Sequence, residues 1–428
     1  MISQMDQMAN QVVPNNGSQG TRPDYYIFTK VSGCIYCDRA KQLLVEQGKT
    51  YEERQFETLK SLQAYCHPLI PADRIPSFPL ILNSDGTVVG GFQHLRERLV
   101  EPVLCEHTRY SAFPIAHLDI YSLYKQQVAC FWTSEEITLR DDVDAFEQMS
   151  DQEKHFLSHV LGFFAQADSI VLKNLMENFG NEVTLAESKM FFSIQGFLES
   201  EHSIVYSQLI DSLVRDPFER ANLFDAIKNI PAIGDKASWA MKWLNKNNTF
   251  AERLVAYTCV EGILFSGSFC AIYWLKNRGV NMPGLSLSNQ FISRDEKLHV
   301  EHGVALYKKL IYPLGQQRVY EIVGEAVQNE KSFILEALPC SLIGMSSEKM
   351  GQYIEYVADR LLVDLGYSKM YGSDNPFPFM EQLGLQGKTN FFEARNGDYA
   401  RATVSLQAPG TEYQSLDGED SASDFDDF

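Results

Sequence analysis

The stretch LESEHSIVY, at residues 198–206, combines three polar side chains at helical spacing. Glu199 and His202 stand three positions apart, and Tyr206 stands four positions beyond His202. On an α-helix these spacings place side chains on one face. A carboxylate, an imidazole and a phenol are therefore predicted to lie in a row along one helix.

The same Glu-x-x-His pair recurs as Glu296 and His299 in the stretch RDEKLHVEH. One predicted helix upstream of each pair, a single carboxylate interrupts an apolar stretch: Asp168 in LGFFAQADSIVL and Glu261 in YTCVEGILF. Four inward carboxylates and two imidazoles suit a pair of iron or manganese ions better than zinc or calcium. Ferritin-like bundles hold dinuclear sites in this way. One such pair alone would more often be an exposed helix pair, but two copies of the plan favour a metal site.

Composition excludes several classes of protein. The chain has 428 residues, 45% of them hydrophobic, which predicts two or three domains with a large core. A net charge of −19 argues against a nucleic-acid binder. The polar first twenty residues and the sparse cysteines, eight in all, predict a cytoplasmic protein without a signal peptide. The apolar run at 257–275 contains only one charge, Glu261, and is expected to be a buried helix rather than a membrane span.

The order of patterns along the chain predicts a multidomain protein. Residues 1–22 are polar and expected to be disordered, and 23–104 alternate strands with helices before ending in a hairpin. Residues 105–128 are expected to be a linker, and 129–375 to form an all-α bundle of long helices. Residues 376–428 are expected to form a flexible acidic tail.

Within the strand–helix region, Cys34 and Cys37 form a Cys-x-x-Cys motif at a predicted helix start. The helix dipole and the free N–H groups there would stabilise a thiolate on Cys34, and Cys37 lies one turn on, where it can close a disulfide. Half of a zinc site is the alternative. No second cysteine or histidine pair follows at zinc spacing, which favours redox chemistry.

Residues 23–104 resemble a dithiol glutaredoxin, through SGCIYCDRAKQLL, Ser77-Phe78-Pro79 and Val89-Gly90-Gly91-Phe92. The resemblance implies a thioredoxin-like α/β fold with Cys34 as the nucleophile, Cys37 as the resolving thiol and Pro79 as a cis-proline. The sequence departs from the family where Ile35 replaces a usual proline. The residues that the resemblance assigns to glutathione binding are Tyr36, Phe78, Pro79, Gly90 and Gly91.

The remainder of the sequence, from residue 128, resembles the radical-generating small subunit of class I ribonucleotide reductase. The resemblance rests on FWTSEEI, FFAQADSIVLKNL, LESEHSIVYS, VEGILFSGSF, SRDEKLH, KTNFFE and the tail. It implies a ferritin-like bundle with two iron or manganese ions per chain and a radical on Tyr206. By this resemblance the metal ligands are Asp168, Glu199, His202, Glu261, Glu296 and His299; the radical pocket is Phe265, Phe269 and Ile292; and the radical relay is Trp132, Asp295 and Tyr399, together with His202.

The resemblance further implies a homodimer that works with a catalytic large subunit, without nucleic acid or membrane. The last twenty residues hold seven acidic and no basic side chains, with Phe425 and Phe428 as apolar anchors, and the family docks such a tail on the large subunit. Three alternatives stay open from the residues alone: another di-metal carboxylate oxidase or monooxygenase, a ferritin-like metal store, and a purely structural bundle. The choice between iron and manganese, and between Tyr206 and the metals as the resting oxidant, is also open.

Overall fold

A computed structural model describes residues 22–67, 70, 75, 77–105, 109–337 and 339–380. These residues belong to one compact unit, Met1–Leu385. Tyr399, Phe425 and Phe428 lie outside the described residues, as do 1–21 of the expected disordered N-terminus and 381–428 of the expected tail.

The N-terminal region folds as a mixed four-stranded sheet of order β2-β1-β3-β4. Strands β1 and β2 pair in parallel, whereas β3 is antiparallel to both of its neighbours, β1 and β4. This arrangement matches the predicted strand–helix alternation and the final hairpin. The elements are β1 (Tyr25–Lys30), α1 (Ile35–Glu46), β2 (Tyr51–Phe56), α2 (Leu59–Cys66), β3 (Leu80–Asn83), β4 (Val88–Gly90) and α3 (Phe92–Val100).

Strand β1 is buried on both faces because helices cover each side of the sheet. Tyr26 and Phe28 pack with Leu62 of α2, and Ile27 packs with Leu44 of α1 on the opposite face. A strand that is covered on both sides needs apolar residues throughout, and YYIFT supplies them. Strand β3 begins only after Pro79, which has no N–H for a strand ladder.

The segment 105–128 differs from the expected linker, since most of helix α5 (Leu118–Ala129) lies within it, after the short helix α4 (Pro102–Cys105). Ile120 and Gln127 of α5 are fully buried, and the helix packs on two long helices of the bundle. The polar and tyrosine-rich sequence of α5 hides its helical periodicity of buried residues. One of the buried positions is a glutamine, which pairs with a carboxylate elsewhere in the protein.

Long helices fill the rest of the described residues, as the 3.6-residue periodicity predicts. Capping boxes start two of them, at Ser150 with Glu153 and at Thr249 with Glu252. The helices are α6 (Arg140–Glu147), α7 (Asp151–Asn174), α8 (Gly180–Glu182), α9 (Ala186–Leu213), α10 (Pro217–Phe224), α11 (Ala226–Asn229), α12 (Pro231–Lys242), α13 (Phe250–Cys259), α14 (Ser266–Asn277), α15 (Pro283–Tyr307), α16 (Gln316–Lys331) and α17 (Ser347–Asp364).

Among the described residues, the π turns Leu175–Phe179 and Val260–Leu264 each lie between two α-helical segments, and a third π turn, Ser332–Ala337, ends α16. A π turn adds one residue to the helix without removing its apolar character, so the hydrophobic pattern cannot reveal it. The helical span Phe250–Asn277, which contains the second π turn, is long and apolar enough to cross a membrane. Because 89% of its most apolar window is buried within the protein, it has the setting expected of a core helix.

Two carboxylates at the end of α3 attach the N-terminal sheet to the bundle. Glu97 accepts hydrogen bonds from the backbone N–H groups of Phe250 and Ala251, at the first turn of α13. Glu101 accepts from those of Ile311 and Tyr312, just beyond α15. Both carboxylates are buried, at 7% and 1% exposure. They therefore satisfy backbone donors that the helix starts and turns leave without partners.

Candidate metal centre

Four segments of the bundle bring the six predicted ligand residues together. Helix α7 contributes Asp168, α9 contributes Glu199 and His202, the π turn after α13 contributes Glu261, and α15 contributes Glu296 and His299. Each of these residues is at most 2% exposed. Acidic residues are rarely buried unless they are paired with a cation or a donor. The burial of four carboxylates in one place therefore requires compensating positive charge.

The ligand atoms fall into two groups that share Glu199. One group contains Asp168, Glu199 and His202, and the other contains Glu199, Glu261, Glu296 and His299. Within each group the atoms lie within 4.8 Å of one another. Two neighbouring groups of this size, with a carboxylate common to both, are residues that would hold a pair of metal ions.

Each Glu-x-x-His pair faces the other across the cluster. His202 Nδ1 lies 3.1 Å from Glu296 Oε1, and His299 Nδ1 lies 3.2 Å from Glu199 Oε1. His299 Nδ1 is also 3.1 Å from Glu296 Oε2 in its own pair. The two helices therefore contribute to a single site, as the repeated spacing predicts.

Several polar atoms of the cluster have no hydrogen-bond partner among the residues that the structure describes. Leaving a buried polar atom without a partner costs roughly 1–3 kcal/mol in proteins, and more when the group is charged. Metal ions would remove that cost, and carboxylate with imidazole is the donor set of iron and manganese. The residues therefore fit the metal pair. The unpartnered atoms include both oxygens of Asp168, Oε2 of Glu199, Oε2 of Glu261 and Nε2 of His299.

The pKa shifts of two carboxylates in the cluster also favour bound metal ions. Burial, and then the nearby charge of Glu199, raises the pKa of Asp168 well above its ordinary value. Burial also raises the pKa of Glu261, with Glu296 and Glu199 adding repulsion. Without cations Asp168 and Glu261 would hold protons, whereas bound cations would keep these two carboxylates ionised.

Gln195 is a residue of this site that sequence reasoning missed. It is fully buried, and its Nε2 donates to Glu199 Oε1 at 3.1 Å and to Glu261 Oε1 at 3.2 Å. The same nitrogen contacts the hydroxyl oxygen of Tyr257. Its position four residues before Glu199 places it on the ligand face of α9, which was the signal available in the sequence.

Asp295 connects Trp132 to the metal cluster. The Trp132 indole N–H donates to Asp295 Oδ2 at 2.7 Å, and His202 Nε2 lies 3.2 Å from the same oxygen. Gln127 donates to the other oxygen at 2.9 Å. The Trp132 and His202 rings are stacked, with centroids 5.8 Å apart. The structure thus brings together every predicted relay residue that it describes, and Tyr399 lies outside the described residues.

Tyr206 lies in an aromatic pocket on the same helix as Glu199 and His202. It is 1% exposed and stacks on Phe164 at a centroid distance of 4.6 Å. Phe164 in turn contacts the predicted pocket residues Phe265 and Phe269, at 5.4 and 4.9 Å. Ile292, the third predicted pocket residue, is buried in the same hydrophobic core. Sequence reasoning missed Phe164, although it stands one helical turn before Asp168.

The phenol of Tyr206 is isolated from polar partners. Its hydroxyl has no hydrogen-bond partner among the described residues, and burial raises its pKa well above the ordinary value. The tyrosine is thus held as a neutral phenol that water does not reach, which is the setting expected for a protected redox side chain.

In the N-terminal sheet region, Cys34 and Cys37 meet at the start of α1. Cys34 is the N-cap residue, and its sulfur accepts a hydrogen bond from the Cys37 N–H. The two cysteines are joined by a disulfide, with Cα atoms 5.3 Å apart. Cys34 is half-buried and Cys37 is buried, so the sulfur of Cys34 is the more accessible one.

The residues expected to bind glutathione occupy neighbouring positions. The Phe78–Pro79 peptide bond is cis, as expected for Pro79. A Cβ at Gly91 would meet the Pro79 carbonyl oxygen at 3.6 Å, and Gly90 needs to be glycine because its φ is +120°. Tyr36 is 49% exposed, and its ring contacts that of Phe92, which follows Gly91.

Comparison with known proteins agrees with the geometry of the bundle. A sequence model of the family described as "Ribonucleotide reductase, small chain" matches residues 109–376. A ribonucleoside-diphosphate reductase small chain from Plasmodium falciparum is 53% identical over 302 residues, which cover 71% of the present sequence and 86% of that protein. A small chain of the same enzyme from Arabidopsis thaliana is 49% identical over 323 residues, which cover 75% of the present sequence and 94% of the plant protein.

A solved structure shares the fold. The ribonucleotide reductase Rnr4 homodimer from Saccharomyces cerevisiae superposes with a TM-score of 0.63 at 33% identity, covering 68% of the present protein and 93% of the yeast one. The comparison confirms the predicted all-α ferritin-like fold for the bundle. The four-stranded N-terminal sheet precedes residue 109, so it lies outside the residues that the family model matches.

Proposed function

The chain belongs to the ribonucleotide reductase small-chain family, and from this premise we propose that its buried cluster holds two iron or manganese ions. The proposed ligands are the six residues that form the two groups around Glu199. The observation that carries the proposal is the set of buried carboxylate and imidazole atoms that no protein group satisfies among the described residues. When bound there, the ions would supply a one-electron oxidant for the reduction of ribonucleotides on a large subunit.

Tyr206 is the proposed store of that oxidising equivalent. Its position one turn beyond His202 places it on the ligand helix, and the stacked Phe164 keeps water away from its hydroxyl. A tyrosyl radical forms when the phenol loses an electron and a proton together. Burial, and then the charge of Asp168, raises the pKa of the phenol, so Tyr206 keeps its proton until it is oxidised.

Trp132, Asp295 and His202 form the proposed route for the electron. The indole N–H, the Asp295 carboxylate and the imidazole N–H lie in one hydrogen-bonded line. Asp295 holds the imidazole ring in place and accepts a hydrogen bond from the Trp132 indole, so both rings are oriented for transfer. Tyr399 is the proposed continuation of this route toward the large subunit.

The sheet domain is proposed to act as a glutaredoxin. Each reduction cycle on the large subunit would leave a disulfide there, and the Cys34 thiolate would attack one of its sulfurs. Cys37 would then attack Cys34, which releases the second thiol and closes the Cys34–Cys37 disulfide. Two glutathione molecules would restore the dithiol as they are oxidised to their disulfide. Fusion to the bundle would raise the local concentration of this reductant.

A large subunit and a second copy of the protein are the proposed partners. The solved yeast relative is a homodimer, which supports the same state here. The acidic tail with Phe425 and Phe428 would dock on the large subunit, ordering only when bound. The proposed compartment is the cytoplasm, where the free cysteines stay reduced.

Metal analysis with electron paramagnetic resonance tests the proposal. After loading and oxidation, the wild type is expected to hold about two ions per chain. It should also show a tyrosyl signal, which Tyr206→Phe abolishes while the ions remain. A metal-centred signal that survives in the variant would move the stored oxidant to the ions. Many ions per protomer in a large cage would instead support a metal store.

A further inference from the structure

Glu261 lies on a break in its helix. The π turn Val260–Leu264 ends at Phe265, and α14 begins at Ser266. The first N–H groups of a new helical segment and the last carbonyls of the preceding one lack regular partners. Because this junction is buried, those backbone groups need other partners to avoid a large desolvation cost.

A buried ion pair supplies two of these partners. Lys236 Nζ, from α12, donates to the carbonyl oxygen of Leu264 at 2.5 Å. Glu330, from α16, accepts from the N–H of Gly267 at 3.0 Å. The two side chains also contact each other, with Lys236 Nζ 2.6 Å from Glu330 Oε2, and they are 1% and 0% exposed. The pair therefore bonds to the backbone on both sides of the break.

Two aromatic rings and a glycine lie directly against the ion pair. The Lys236 ammonium lies 3.7 Å from the centroid of Phe163 and 4.2 Å from that of Phe333. A Cβ at position 267 would lie 2.5 Å from Glu330 Oε1, so a larger residue there would have to displace the Glu330 carboxylate. Glu330 itself stands just before the third π turn, Ser332–Ala337. The pair thus links the interrupted helix that carries Glu261 to α16, at a point where Gly267 leaves room for the Glu330 carboxylate.

Stability alone is a weak reason for such a pair. Desolvation of two buried charges roughly offsets their attraction, and apolar residues of similar size often replace a buried ion pair without loss. The backbone bonds to Leu264 and Gly267 are what an apolar pair cannot provide. These bonds bracket Phe265, and the same π turn carries Glu261.

We propose that the Lys236–Glu330 ion pair is a positioning device that holds the π turn so that Glu261 faces its metal group and Phe265 faces the Tyr206 pocket. The inference rests on the proposed metal site. Neither residue touches the ligand cluster directly. Lys236 and Glu330 act through the backbone of Leu264 and Gly267, and Glu261 and Phe265 transmit the effect to the two functional groups.

Two double variants of the full-length protein separate charge from backbone bonding. K236M/E330L removes the ion pair and both backbone bonds, whereas K236M/E330Q removes the charges but leaves an amide oxygen for the Gly267 N–H. R253M/E182Q is the matched control, because Arg253 lies on the same helical span, N-terminal to the π turn, and forms an ion pair with Glu182 of α8. Manganese(II) is titrated into each protein and counted by the resonance of the free ion, and hydrogen exchange of residues 260–268 is followed without metal.

In K236M/E330L, we expect residues 260–268 to exchange at least about tenfold faster and one of two manganese ions to bind about 10- to 100-fold more weakly. The other ion and the melting temperature are expected to stay close to wild type. K236M/E330Q should recover most of the exchange protection, and R253M/E182Q should match wild type in both measurements.

The inference would be overturned if residues 260–268 of K236M/E330L exchanged at the wild-type rate and the variant bound both manganese ions with wild-type affinity. It would also be overturned by an equal weakening of both ions together with a large fall in melting temperature, because that result means general destabilisation. If the wild type itself fails to bind two ions, the proposed metal site is wrong. This outcome is distinguishable from failure of the ion-pair inference, because it is seen in the wild type alone.

Discussion

The Trp132 indole N–H donates to Asp295 Oδ2 across 2.7 Å, joining a residue beyond the end of α5 to the ligand helix α15. The same oxygen lies 3.2 Å from His202 Nε2, so a single carboxylate orients a buried tryptophan and a ligand histidine. Asp295 is fully buried, and it stands next to Glu296 in the sequence. One turn of α15 therefore carries both a residue of the buried cluster and the carboxylate that holds Trp132.

Asp295→Asn should separate these two roles. The amide offers one acceptor oxygen where the carboxylate offered two, so it cannot keep the Trp132, Gln127 and His202 contacts together. We expect turnover with the large subunit to fall about 10- to 100-fold while about two ions stay bound. Lys297→Gln, an exposed change on the same helix, should retain full turnover. Full activity in the Asp295 variant would remove the residue from the relay.

Neutral ligand variants should stabilise the metal-free protein. Burial raises the pKa of Asp168 and of Glu261 well above the ordinary values, so at neutral pH the metal-free protein must take up protons at both sites as it folds. D168N/E261Q removes this cost, because neither amide titrates. We expect its metal-free melting temperature to exceed that of the metal-free wild type. Metal should stabilise the wild type by about 2.7 kcal/mol per site at free metal one hundred times Kd, and it should have little effect on the variant.

The control for that experiment is Glu201→Gln. Glu201 adjoins His202 in sequence, but its carboxylate accepts from the Ser134 backbone N–H rather than joining the ligand cluster. The Glu201 variant should keep the full metal-dependent rise in melting temperature, as measured by calorimetry with and without chelator. If both variants lost the metal-dependent rise in melting temperature equally, the rise would not report metal binding at the cluster.

Glu97 should make stability depend on pH at the contact between the sheet and the bundle. Burial raises the pKa of Glu97 from 4.5 to about 7, against the opposing effect of the Phe250 and Ala251 N–H groups. Because the folded pKa is the higher one, the folded state binds more protons between these two values. The contribution of Glu97 to stability is thus fully present below pH 4.5 and is lost as the pH rises through 7.

The size of this effect follows from the difference in pKa and is about 3 kcal/mol. Glu97→Gln cannot titrate at this position. The quantity to follow is therefore the free energy of unfolding of the wild type minus that of the variant. This difference should fall by about the same amount as the pH rises from 4.5 to above 7. Chemical denaturation at a series of pH values measures the difference, in which other titrating groups cancel. A difference that stays constant with pH would contradict the prediction.

Cys34→Ser should remove one source of reducing equivalents without touching the bundle. We expect turnover of the complex driven by glutathione and glutathione reductase to be lost, whereas turnover driven by dithiothreitol continues. Cys105→Ser removes another exposed cysteine and should behave like the wild type in both assays. Unchanged glutathione-driven turnover in the Cys34 variant would mean that the sheet domain does not reduce the large subunit.

The two terminal aromatic residues should govern binding to the large subunit. If Phe425 and Phe428 insert into pockets on the partner, F425A/F428A should weaken binding at least about tenfold per residue, since each anchor is worth more than about 1.4 kcal/mol. Surface plasmon resonance with the immobilised large subunit measures the change. Metal content and the Tyr206 signal should be unaffected, and unchanged affinity would place the docking contacts elsewhere.

Much of the site could be read from the order of residues, because helix geometry is local. The spacing of Glu199, His202 and Tyr206 requires only one regular helix, and the repetition of the Glu-x-x-His pair indicated a shared site. The strand–helix alternation before residue 104 likewise follows from local patterns. The prediction of a linker at 105–128 was wrong because α5 buries a glutamine, Gln127, whose partner Asp295 is distant in the sequence.

Other features depend on contacts that the sequence does not display. Phe164 reaches Tyr206 because α7 and α9 cross where they do, and Lys236 and Glu330 meet because α12 and α16 pack on the same break. The π turns themselves leave the apolar pattern intact, so only the three-dimensional backbone reveals them. The sequence alone identified the candidate ligand and redox side chains, since periodicity and residue type are local properties. Tertiary packing decided which of those side chains share a cavity, since pairing between distant segments depends on how helices pack against one another.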